Sequence, residues 1–138
     1  LQLEVCSYKL CMGCCVSLHG AASKGDVEKV KQLLDAGKPV DARDKLQWTP
    51  MLRACLGRHP EVVRLLLSRG ADPNCHAKTV TPLHEAAMVG NFEIGRLLVA
   101  AKAFVNPLTR WVKHTPLHLA CMHARDLMMV WLVCAGGN

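Results

Sequence analysis

The chain has 138 residues, 51% hydrophobic and 20% charged, with three Trp, one Tyr and two Phe and a formal net charge of +6. That length suits one modest domain, and that balance excludes a disordered polar tail and leaves a core mostly of Leu, Val, Ala and Met. No apolar run approaches the roughly 20 residues of a membrane span, and the positive charge favours acidic partners, whether protein, nucleic acid or membrane surface.

Residues 1–15, LQLEVCSYKLCMGCC, carry no regular pattern and read as a divergent N-terminal segment or cap. Cys6, Cys11, Cys14 and Cys15 cluster there with His19 nearby, and Cys11 and Cys14 have metal-ligand spacing. No second Cys-x-x-Cys or His-x-x-x-His answers them, so incidental thiols are expected, not a metal site.

A phrase then recurs at steps of 33, 32 and 34 residues: Val16-Ser17-Leu18-His19, Thr49-Pro50-Met51-Leu52, Thr81-Pro82-Leu83-His84 and Thr115-Pro116-Leu117-His118. Self-similarity at that period decides the fold before any other signal. In the last three copies Thr before Pro predicts a helix N-cap with Pro at the first helical position, where its missing N–H is not needed. In the first copy, 16–48, Leu18, Ala21 and Ala22 predict one helix and Val27, Val30, Leu33 and Leu34 a second. Glu28, Lys29, Lys31 and Gln32 form the wet face of that second helix, and Gly37 predicts its left-handed stop. The second copy, 49–80, has Leu52 where the others have His. Its second helix opens at Pro60, runs through Val62, Val63, Leu65, Leu66 and Leu67, and closes on Gly70-Ala71-Asp72-Pro73-Asn74.

The third copy, 81–114, puts Leu83, Ala86 and Ala87 on one stripe, turns at Gly90-Asn91, and continues with Ile94, Leu97 and Leu98 at helical spacing. Gly95 inside that helix costs about 1 kcal/mol relative to Ala, so a close neighbour is expected beside it. The fourth copy, 115–138, is incomplete. Its stretch 127–133, LMMVWLV, carries no charge, unlike the polar outer face of a terminal repeat, so further repeats are expected after Asn138. The lack of an initiator Met reads as a fragment and leaves a removed targeting segment open.

Residues 16–138 resemble ankyrin repeats in four copies, the last cut short. The match is carried by TPLHEAA at 81–87, TPLHLAC at 115–121, LHGAASKGDVEKVKQLLDAGKPVDARD at 18–44 and PEVVRLLLSRGADPN at 60–74. The resemblance implies an all-α solenoid of about four stacked helix–turn–helix repeats with hairpin-like loops, working as a protein-binding surface. Each copy is too short to bury its own apolar face, so the copies must stack. Cys55 and Cys121 replace the second Ala of the small pair, which suits buried reduced thiols in a cytoplasmic or nuclear protein better than a disulfide framework.

No catalytic or cofactor constellation emerges. His19, His84 and His118 hold the fourth position of the recurring phrase. Stacking would set them in a row, which fits a structural hydrogen bond between turn and helix. In the family that His ties the loop to the helix start, so the junction at Leu52 is expected to be looser. His59, His76, His114 and His123 lack ligand spacing, no phosphate-cradling Gly-rich loop is present, and Asp41 and Asp44, beside Arg43 and Lys45, read as turn formers. The chain therefore reads as a non-enzyme with no cofactor, metal or small-molecule substrate.

By the resemblance, partner-facing residues sit at the loop tips and just after the small pair. The first set is Arg43, Lys45, Leu46, Trp48 and Leu56; the second is His76, Lys78, Thr79, Met88 and Val89; the third is Arg110, Trp111, Lys113, Met122 and His123. Trp and Arg are frequent interface anchors, and the bland alternative is that Trp48 and Trp111 pack on their own scaffold. The expected partner is a partly acidic, partly apolar protein segment; the alternative is nucleic acid or an anionic membrane surface. The cysteine-rich, irregular repeats also resemble adaptors that present targets to a ubiquitin ligase through a SOCS box, although no such box lies within the 138 residues.

Overall fold

The computed structural model describes residues 17–77 and 80–137. The segment 1–15, with Cys11 and Cys14, and the loop residues Lys78 and Thr79 lie outside the described residues.

Eight helices follow one another among the described residues: α1 Leu18–Lys24, α2 Val27–Asp35, α3 Pro50–Leu56, α4 Pro60–Ser68, α5 Pro82–Val89, α6 Phe92–Ala100, α7 Pro116–Met122 and α8 Asp126–Cys134. Their starts are those the caps dictate. Thr49 and Thr115 accept from the N–H of Leu52 and His118, each at 3.4 Å, with Pro next in line. In the first repeat Ser17 stands at the Pro position and caps instead, accepting from Gly20 N–H at 3.0 Å, so α1 begins one residue later in register. Gly37 adopts the left-handed conformation just past α2, at φ +86°.

The short helices α1, α3, α5 and α7 stack in chain order, the longer α2, α4, α6 and α8 do the same, and each short helix lies against the long one that follows it. Between the layers lie the fully buried Val30, Met51, Leu52, Val62, Val63, Leu66, Leu83, Ile94, Leu98, Met128 and Leu132. Ala21, Ala22, Ala54, Cys55, Ala86, Ala87 and Ala120 are also buried, and their small side chains let neighbouring helices approach. A Cβ added to Gly95 would lie 2.8 Å from Met128 Cε and 3.0 Å from Trp131 Cζ3. That is the close neighbour expected of a glycine inside a helix: α8 seats Trp131 against α6, where the ring also meets Phe92 edge-on at 5.6 Å.

One polar ladder ties each turn to the next. Asp41 accepts from Asp72 N–H at 3.2 Å, Asn74 accepts from Phe104 N–H at 2.8 Å, and Asn106 donates to the Gly136 carbonyl at 2.9 Å. These residues occupy one register position in three copies, so the ladder is a property of the repeat.

Burial fails where stacking is one-sided. Leu117 is only half-buried and Cys121 is exposed, although Leu83 and Cys55 at the same register positions are buried. Among the described residues no helix packs on the far side of α7. Among the described residues Cys55 and Cys75 are thus the buried thiols, and Cys121 and Cys134 face solvent.

Candidate functional site: the loop and short-helix surface

Backbone hydrogen bonds close the loops at 41–48 and 107–114 and join Ala77 to Val80. Asp44 N–H donates to Trp48 O at 3.0 Å, Ala77 and Val80 exchange two bonds of 3.0–3.1 Å, and Thr109 N–H donates to His114 O at 2.9 Å. In two of the repeats the recurring His holds a loop to a helix start. His84 Nε2 donates to the His114 carbonyl at 3.0 Å while its Nδ1 accepts from Thr81 N–H at 3.2 Å. His19 Nε2 likewise donates to the Ala42 carbonyl at 2.9 Å, and His118 Nδ1 accepts from Thr115 N–H at 3.3 Å.

Where the His is missing, other groups take over, so the junction at Leu52 is not left untied. Leu52 is fully buried, and Thr49 Oγ1, with no imidazole beside it, meets Cys75 Sγ at 3.2 Å. Arg53 Nε donates to Asp44 Oδ2 at 3.0 Å, and Arg43 crosses to the His76 carbonyl at 2.8 Å. Asp44 Oδ1 also accepts from Leu46 N–H at 2.8 Å and Trp48 N–H at 2.9 Å. Desolvation pushes the Asp44 carboxyl upward; Arg53 and the two N–H groups outweigh it and hold its pKa below the ordinary value.

Of the partner-facing positions inferred from sequence, Arg43, Lys45, Leu46, Leu56, His76, Arg110, Trp111, Lys113, Met122 and His123 are exposed. Met88 and Val89 are half-buried on α5. The two tryptophans part company. Trp48 is half-buried against the core, with the Arg53 guanidinium 5.0 Å over its ring. Trp111 is 78% exposed, with Arg110 5.7 Å over its ring. Asp44 is consumed in turn hydrogen bonds, as a turn former should be, whereas Asp41 serves not its own turn but the next repeat, through Asp72 N–H.

Residues of the first loop, α1 and α3 line an open groove of about 560 Å³: Ser17, His19, Gly20, Ser23, Arg43, Asp44, Lys45 and Arg53. Ser23 and Arg53 were not singled out from sequence. The signal that finds Arg53 is register: the residue after the fourth position of the phrase is Gly20, Arg53, Glu85 and Leu119 in the four copies. The third of these is the unusual one. Glu85 is 3% exposed, its Oε2 has no hydrogen-bond partner, and burial raises its pKa.

The chemistry of the remaining titratable groups is quiet. Burial pushes the Cys55 thiol well up and the Cys75 thiol to about 11, so both stay protonated and poorly nucleophilic at neutral pH. Burial lowers the His84 pKa. Among the described residues no group of three or more His, Cys, Asp or Glu side chains gathers as metal ligands. No described helix is long and apolar enough to cross a membrane.

Comparison with known proteins agrees with this geometry. The family model for ankyrin repeats (3 copies) matches residues 18–109 and 71–138. Over 96 residues the chain is 35% identical to cyclin-dependent kinase 4 inhibitor B of Rattus norvegicus, covering 68% of this chain and 73% of that protein. It is 43% identical over 58 residues to the mitochondrial disaggregase of Bos taurus, covering 42% of this chain and 9% of that protein. It is 41% identical over 56 residues to protein phosphatase 1 regulatory subunit 27 of Homo sapiens, covering 41% of this chain and 36% of that protein. This chain therefore spans only a small part of some of its relatives and most of others. Ankyrin repeats generally mediate protein–protein interaction and are typically non-catalytic. With the period, the two helix layers, the hairpin loops and the family match in agreement, this chain belongs to the ankyrin-repeat family.

Proposed function

We propose that this chain is a non-catalytic interaction scaffold that binds a partner protein through the loop tips and the adjoining edge of the short helices. The observation that carries the reading is Trp111. A large apolar ring stands 78% exposed on a loop between Arg110 and Lys113, where burial comes only from a partner. Exposed Leu56 and Met122 continue the same surface on α3 and α7. If Trp111 is an anchor, Trp111→Ala weakens partner binding by about 2 kcal/mol or more and barely moves the melting temperature. Trp48→Ala gives the reverse order, because Trp48 packs at home. Retention of a captured partner by the Trp48→Ala/Trp111→Ala double variant as strongly as by the wild type would remove these loops from the site.

The relatives named as a kinase inhibitor and a phosphatase regulatory subunit support a partner that is itself a regulated enzyme. Substrate presentation to a ubiquitin ligase is a finer form of the same reading. It rests on the irregular, cysteine-rich character of the repeats, and co-purification of the full-length protein with a ligase core tests it. Reduced thiols fit residence in the cytoplasm or nucleus, which imaging of the tagged protein tests. Four loop cations favour one second reading, binding to nucleic acid or an anionic surface; steep salt dependence of binding to random DNA would support it.

A further inference from the structure

The outward face of the long helices changes character at α8. On α2, α4 and α6 one outward position holds Glu28, Glu61 and Glu93, and the position one turn later holds Lys31, Arg64 and Arg96. All of these are exposed. On α8 the same two positions hold Leu127 and Val130, which are 83% and 65% exposed. α4 and α6 have a long helix on either side, yet their charged pairs stay in water. Packing against the flank of α8 would therefore leave Leu127 and Val130 uncovered, and only a body on the outward face can bury them.

A charge ladder also stops there. Arg64 reaches Glu61 on its own helix at 3.8 Å and Glu93 on the next at 3.6 Å. The following rung would join Arg96 to the residue at 127, which is leucine. Among the described residues Arg96 makes no ion pair, and neither does Asp126, exposed at the start of α8. The two stand on opposite flanks of the apolar pair. Phe92 on α6 meets Trp131 on α8, so the Trp131 side of α8 is turned to α6, where Arg96 stands. Asp126 holds on α8 the position that Phe92 holds on α6, and so points to the flank away from α6.

We propose that a second copy of this chain covers the face, as a two-fold dimer with the two α8 helices antiparallel. A patch with a cation on one flank and a carboxylate on the other is complementary to itself after a half-turn. That rotation sets Leu127 of one protomer on Val130 of the other, and Arg96 of one opposite Asp126 of the other. Each contact occurs twice, so a pair of salt bridges frames the aliphatic side chains. One helix face is smaller than a standard interface, so the dimer is of the weak, concentration-dependent kind. The contact uses neither the short helices nor the loops, so self-association through α8 is independent of partner binding there. A dimer then holds two partner molecules at once, a bivalence the single chain lacks.

Sedimentation of the 138-residue chain under reducing conditions, which keep Cys121 and Cys134 from cross-linking, tests the proposal. The wild type passes from monomer to dimer as its concentration rises from about 1 μM to about 1 mM. Arg96→Asp and Asp126→Arg each set like charges opposite one another and weaken association about tenfold or more. Mixing the two single variants restores the dimer, because each then meets the opposite charge at both contacts. The Arg96→Asp/Asp126→Arg double variant also associates like the wild type. A folding defect cannot produce rescue by mixing. Leu127→Glu gives a monomer at every concentration. A wild type that stays monomeric throughout, or a mixture no more associated than its components, overturns the proposal. Dimers that survive Leu127→Glu and vanish with Trp111→Ala move the contact to the loops and overturn it too. Binding of a monomeric wild type to vesicles of anionic phospholipid, lost with Leu127→Glu, gives the face to a membrane instead.

Discussion

Leu83 and Leu117 hold the same place in two copies of one phrase, and their surroundings make them different residues. Leu83 is 1% exposed and Leu117 is half-buried. Leu83→Ala leaves a cavity and is expected to cost about 2–5 kcal/mol in chemical denaturation, Leu117→Ala clearly less, and Lys31→Ala on the wet face of α2 almost nothing. Equal shifts for all three would contradict the assigned faces. Two adjacent titratable residues give opposite pH signatures. Burial depresses the His84 pKa, and its Nδ1 must stay unprotonated to accept from Thr81 N–H. Its stabilising share is therefore whole above the unfolded pKa of about 6.5 and falls away as the pH drops through that value. His84→Gln should flatten the fall in denaturation midpoint between pH 7.5 and 5. Burial raises the Glu85 pKa, and Oε2 has no partner. Its share is whole below the unfolded pKa of about 4.3 and lost as the pH rises through the folded value. Glu85→Gln should thus raise the midpoint at pH 8 and lose that advantage near pH 4; unchanged midpoints at pH 8 would refute an uncompensated carboxylate.

At the scale of the element, the residue entering each long helix plays one of two parts. Asp26 and Asn91 cap their own helices, accepting from Lys29 N–H at 2.9 Å and Ile94 N–H at 3.1 Å. His59 and Arg125 instead reach back one repeat, to the Ser23 carbonyl at 3.0 Å and the Met88 carbonyl at 3.2 Å, and satisfy the last turns of α1 and α5. Each long side chain passes over a glycine. A Cβ on Gly25 would lie 2.5 Å from His59 Nδ1, and one on Gly90 would lie 2.6 Å from Arg125 Cδ. Gly25 is left-handed as well, at φ +76°. Gly25→Ala should therefore lose more than the roughly 1–2 kcal/mol that a left-handed alanine costs. In a His59→Ala background only that backbone share should remain, and a double-mutant cycle of denaturation midpoints measures the difference. A coupling of zero would show that the ring does not rest on the glycine.

Across the whole molecule, polarity is distributed by where the stack is covered. Leu127, Val130 and Val133 follow one another at helical spacing on α8 and are 83%, 65% and 58% exposed. An apolar face of this kind is an association surface. The 138-residue chain should sediment with a concentration-dependent mass that Leu127→Glu together with Val130→Glu restores to that of a monomer. An unchanged mass distribution in that double variant would move self-association elsewhere, with the loop tryptophan as the next place to look.

What the sequence determined by itself is what the repeat makes local. Thr-Pro starts, Gly stops, small pairs and spaced aliphatics each act within one or two turns of chain, so the eight helices, their pairing and their buried faces could be read directly. Gly95 could be read too, since a glycine kept within a helix implies something pressed against it. The tertiary structure decided whatever depends on the next repeat. Trp48 and Trp111 both stand in basic loops, but Trp48 ends its loop and packs under Arg53, whereas Trp111 lies farther from its helix, in a hairpin closed by Thr109 and His114. The loss of His at Leu52 looked like a loosened junction until Asp44, Arg53 and Cys75 were seen to tie it, from positions that are neighbours only in space. Glu85 fits the phrase as a helical residue, and only the packing around α5 shows it to be a buried carboxylate with a free oxygen. Local chemistry sets which side chains belong to an element, and the stack sets which of them meet water, a neighbour or a partner.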